Sequence, residues 1–112
     1  MSNKSFKIPA ENIKPLAPGR GACVATDMIT VQGLPVRFMY REAPRDANDS
    51  GWAFFSGEET DDYVDDAKNL GVYDVNTIAN YDPSIVDFLD APVGSAFEKP
   101  AGSKKFVIAE ED

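Results

Sequence analysis

Along this chain of 112 residues the apolar positions fall into short blocks divided by clusters of Gly, Pro, Asn and Asp. From Gly21 to Thr30 the sequence reads GACVATDMIT. Ala22, Val24 and Met28 fall on one face of an extended segment and Cys23, Ala25 and Ile29 on the other, which predicts a largely buried strand. Gln32 to Pro35 is a turn signal. Val36 to Glu42 alternates Val36, Phe38 and Tyr40 against Arg37, Met39 and Arg41, the period of a half-exposed strand. The two strands are expected to form a hairpin. Ala43 to Gly51 is a polar loop rich in turn formers. Trp52 to Phe55 (WAFF) is a short aromatic strand closed by Ser56-Gly57.

Helical signals follow. Thr60 can cap a helix that carries Asp61 and Asp62 at its positive end, with Tyr63, Val64 and Ala67 as its apolar stripe. Lys68, Asn69 and Gly71 supply its ending. Asp74 can cap a helix over VNTIAN. Asp82-Pro83 joins an acceptor cap to a proline in the first helical position. Val93 to Glu98 and Lys105 to Ala109 are candidate strands. Residues 1–20, with Pro9, Pro15, Pro18 and Gly19, read as an extended N-terminal arm. Residues 21–109 read as one domain and 110–112 as an acidic tail. The fold class expected is α+β, an antiparallel sheet with short helices on one face.

Composition narrows the chemistry. A chain this long buries roughly two-thirds of its unfolded surface and needs no disulfide or metal to hold a core. Cys23 is the one cysteine, so no internal disulfide forms and nothing marks an oxidising compartment. The lysines near the N-terminus are followed by no apolar run, and no segment approaches the ~20 apolar residues of a membrane span. A cytoplasmic protein with no membrane association is expected. The absence of histidine excludes Ser–His–Asp and Cys–His catalysis and removes the commonest metal ligand. The formal charge of −8 disfavours nucleic acid. It reads either as a soluble surface or as steering toward a basic partner.

Six carboxylates crowd Glu58 to Asp66 (EETDDYVDD). The plain reading is a solvated helix face. A partner-binding surface comes next, and a catalytic carboxylate pair last. Asp46-x-Asn48-x-Ser50-Gly51 starts like a calcium loop, but its twelfth position is Gly57 and its ninth is Phe54. Neither supplies the oxygen required, so the segment reads as a turn in which Asp49 or Ser50 bonds local backbone. No metal or cofactor is called for. Trp52, Phe54 and Phe55 are core candidates, with one aromatic face open to serve as a platform and Trp52 as a binding anchor. Cys23, in an apolar run, reads as a buried structural thiol.

Three segments resemble a known family. They are Met39-Tyr40-Arg41-Glu42, Asp49-Ser50-Gly51-Trp52 with Phe54-Phe55-Ser56-Gly57, and the long Tyr73-Asp74-Val75-Asn76-Thr77-Ile78-Ala79-Asn80-Tyr81-Asp82-Pro83. From Cys23 to Glu98 the chain resembles the Imm33-like immunity proteins of bacterial polymorphic toxin systems. The resemblance implies an α+β protein, not an enzyme, that neutralises a cognate toxin by binding and occluding it. A basic toxin surface would suit the charge. Arg41, Asp49, Trp52, Glu58, Glu59, Asp61 and Asp62 are the candidate contacts. Two alternatives stand beside this. One is a small-molecule or peptide module with a pocket near Trp52, Tyr40 and Tyr81. The other is a hydrolase or metal enzyme built on Asp49, Asp74 and Asp82.

Overall fold

Strand β1 (Ala22–Thr26) reads ACVAT, apolar at all but its last position. The computed structural model describes residues 4–109. Its other strands are β2 (Phe38–Arg41), β3 (Asp49–Phe55), β4 (Leu70–Asp74), β5 (Ala96–Glu98) and β6 (Val107–Ile108). They form one six-stranded sheet in the order β4-β1-β3-β2-β5-β6. β1 runs parallel to β3, and every other pair is antiparallel. The fold is α+β with a mostly antiparallel sheet. The acidic-tail expectation for residues 110–112 lies outside the described residues.

The expected hairpin does not form. The run from Gly21 to Thr30 leaves the sheet at Asp27, where Asp27–Thr30 coils into one helical turn, α1. The N–H groups of Gly33 and Leu34 then return to the carbonyls of Ile29 and Met28, and Gly33 takes a positive φ of 79° that suits glycine. That ending carries the chain away from β1. β3 enters between β1 and β2 instead, with Trp52, Ala53 and Phe54 all buried, because the longest and most aromatic strand gains most from the sheet centre.

The helical caps act locally. Thr60 accepts from Tyr63 N–H and starts α2 (Asp61–Asp65). Asp74 accepts from Asn76 N–H at 2.8 Å and starts α3 (Val75–Tyr81). Asp82 accepts from Ser84 N–H, but Pro83–Phe88 winds as a 3-10 helix. α2 stops at Asp65, short of the Lys68 to Gly71 ending, because Asp66 caps a separate 3-10 turn over Ala67–Asn69.

α1, α3 and the 83–88 helix cover one face of the sheet. Ile29, Val75, Ile78, Ile85 and Leu89 pack there with Cys23, Ala25, Met39, Trp52 and Phe54. The arm crosses the outside of α3, held by two asparagines one turn apart. The Asn76 side-chain oxygen accepts from the N–H groups of Leu16 and Ala17, and that of Asn80 accepts from Lys14 N–H. No helix among the described residues is long and apolar enough to cross a membrane.

Candidate interaction face

Successive side chains of a strand point to opposite faces, and among the described residues a helix meets the second face of this sheet only at one end, where Val64 of α2 reaches it. β1 contributes Ala22 and Val24 to it, and β3 contributes Ala53 and Phe55. β2 contributes Phe38 and Tyr40, and β4 contributes Leu70 and Val72, the latter 74% exposed. The half-exposed β2 is thus oriented with Met39 in the core and its aromatic residues on the open side. Tyr40 stacks on Phe55 with ring centres 5.7 Å apart, and Phe38 leans on both.

A trough of about 330 Å³ runs over Ala22, Val24, Gly51 and Ala53. Gly51 sits at φ 86°, and a Cβ there would collide with the carbonyl oxygen of Glu42. No side chain can narrow the floor at that point. Val64 of α2 closes one end of the trough, and the 42–49 loop closes the other. That loop brings Glu42, Asp46 and Asp49 to the rim, together with Arg45. Burial, with Glu42 nearby, pushes the Tyr40 hydroxyl pKa up.

The predicted contact residues divide among several places. Asp49 lies on the trough rim. Its carboxylate accepts from the N–H groups of Arg45 and Gly51, and these bonds hold it below the usual carboxylate range. The turn reading of this loop holds, since Ser50 Oγ also accepts from Trp52 N–H and donates to Ala22 O. Glu58, Asp61 and Asp62 are exposed around the start of α2.

Glu59 is different from its neighbours. It is half-buried and accepts from the Thr26 hydroxyl and from the N–H groups of Ser56 and Gly57. Burial alone would raise its pKa, but these donors outweigh burial and lower it. Glu59 therefore knits α2's approach to the end of β1.

Trp52 requires correction as an exposed contact, whereas Arg41 is half-exposed. Trp52 is 2% exposed, stacks on Phe54 and donates from Nε1 to Leu89 O. β3 turns its indole toward the helices because that is the face they cover. Arg41 lies on the same side, over the Trp52 ring, and donates to Ser50 O and Ala91 O. Its role is to tie β2 to the loop after the 83–88 helix.

Of the two alternative sites, the first comes together in part and the second does not. Tyr40 and Trp52 both line the trough, Trp52 from the core side, whereas Tyr81 bonds to Ile8 of the arm. Asp49 and Asp74 flank Ala22 from the two neighbouring strands, whereas Asp82 is buried on the helix side against Lys99. Among the described residues no three His, Cys, Asp or Glu side chains are grouped to hold a metal ion. Cys23 is buried, and burial raises its thiol pKa far above the reactive range.

The sequence reading missed Phe38, Phe55, Val24 and Val72 as surface residues. The available signal was that β1 is apolar on both faces while the chain offers few helices to cover it.

No curated protein and no solved structure matches the chain significantly. A family does match: the Immunity protein Imm33 domain aligns with residues 23–110, from β1 through β6, and so takes in the whole open face except Ala22. The chain belongs to the Imm33 immunity protein family.

Proposed function

We propose that this chain neutralises a toxin protein by binding it and occluding its working surface, with no chemistry of its own. The observation that carries this reading is the open sheet face, an apolar and aromatic floor with the carboxylates of Glu42, Asp46 and Asp49 on its rim. A floor of that kind gains from being covered, and an acidic rim favours a basic partner. Glu58, Asp61 and Asp62 serve as steering charges and Asp49 as a rim contact. Glu59 acts only through the loop it holds. The partner is a toxin with a basic surface, met in the cytoplasm, and neither nucleic acid nor membrane is involved.

Pull-down with mass spectrometry identifies the bound protein, and co-expression with that toxin domain tests the reading. Growth should be rescued, and the two chains should co-purify in a fixed stoichiometric complex. Rescue by far less immunity protein than toxin would mean turnover, and would overturn occlusion.

A further inference from the structure

We propose that the element seated in the trough is a single α-helix of the partner, with an apolar stripe of about three turns flanked by Lys and Arg. This rests on the reading of the open face as the partner surface.

The first argument comes from β1 itself. Its residues are apolar on both faces, the pattern of a strand buried on both sides, and its pairing with β3 is parallel. The chain covers the Cys23 and Ala25 side and, on the other side, only the Thr26 end, leaving Ala22 and Val24 half-exposed. A helix over the open side would complete a helix–sheet–helix stack.

The second argument is shape. Ala22, Val24, Gly51 and Ala53 form the floor, and larger residues stand on either side: Leu70 and Val72 of β4, and Phe38 and Tyr40 of β2 with Phe55 of β3 stacked against Tyr40. The two ridges are separated by three strand spacings, about 14 Å. A helix with its side chains is about 10–12 Å across. One extended strand would leave much of the floor wet. β1 is about 16 Å long, which matches about 11 residues of helix, or three turns.

The third argument is charge. Glu42, Asp46 and Asp49 stand together at the loop end of the trough. Among the described residues Arg45 is the one cation lining the trough. A second copy of this chain would bring the same acidic rim into apposition, whereas a helix with basic flanks meets opposite charge there.

The probe is a pair of synthetic peptides of identical Leu, Ala and Lys composition. One has Leu at helical spacing and the other at alternating, strand-like spacing. Isotope-labelled full-length protein is titrated with each. The helical pattern should shift the amides of Val24, Ala53 and Val72 and gain helical circular dichroism. Its affinity should fall more than about tenfold in Val24→Arg and in Val72→Lys. Val72→Lys lies at an exposed site and keeps the test valid if the other variant folds poorly.

The proposal is overturned if the strand pattern binds more tightly, if the protein self-associates through this face, or if neither peptide perturbs the face at about 1 mM. Toxin neutralisation by the unmodified protein is scored separately. Rescue with failed helix binding removes the helix and keeps the function. Helix binding without rescue does the opposite.

Discussion

Lys99 donates to the Asp82 carboxylate at 2.7 Å inside the fold, with the two side chains only 6% and 10% exposed. Asp82 also caps the 83–88 helix and accepts from Val36 N–H, while Lys99 lies over the Phe106 ring. One carboxylate thus joins the segment entering β2, the 83–88 helix and the segment leaving β5.

Removing one partner strands the other charge. Lys99→Met should cost about 3–5 kcal/mol, because it leaves Asp82 buried and unpaired. Adding Asp82→Asn to the same chain should return much of that loss. Urea denaturation of the single and double variants measures both; a Lys99→Met protein as stable as the parent would remove the pair from the account.

Acid should unfold the protein through the same group. Burial alone would raise the pKa of Asp82, but the Lys99 and Ser84 hydrogen bonds outweigh it and hold the carboxyl below its ordinary value. A lowered folded pKa contributes stability that is complete above the unfolded value of about 3.9 and is lost as pH falls through the folded value. Glu59 acts in the same direction. The urea midpoint should therefore hold steady near neutrality and fall below about pH 4. In Asp82→Asn that fall should be smaller.

Trp52→Ala should cost roughly 3–5 kcal/mol of stability, the range for emptying a large aromatic site in a core. A thermal melt decides. An unchanged melting temperature would contradict the burial of the indole against Leu89 and Phe54.

Asn76→Ala should release the arm while α3 survives. The amides of Leu16 and Ala17 lose their acceptor, so hydrogen exchange there should quicken. Overall stability should drop by about 1–2 kcal/mol. Asp74→Ala, which removes only a cap, should cost about 1 kcal/mol without changing arm exchange.

Neutralising Glu58, Asp61 and Asp62 together should slow association with a basic toxin and flatten its salt dependence, leaving dissociation less affected. Stopped-flow binding at two ionic strengths reads this. Glu59→Gln should instead lower stability, since Glu59 holds the Ser56-Gly57 turn to Thr26.

By itself the sequence determined what is governed within a few residues. Thr60, Asp74 and Asp82 are caps because each side chain reaches an N–H two or three positions ahead, and no distant contact is needed to place them. The α+β class and the family were legible for a related reason, since apolar periodicity and the 73–83 segment are properties of the linear order. Tertiary structure alone decided which strands meet and which face is covered. Alternation separates Phe38 and Tyr40 from Met39, yet it cannot say which set faces the helices. That depended on β3 entering between β1 and β2, which pairs β1 with a segment more than twenty residues further along the chain. The same event carried Trp52 into the core and left Val24 and Val72 outside, because the helices follow β1 and β4 onto one side of the sheet only.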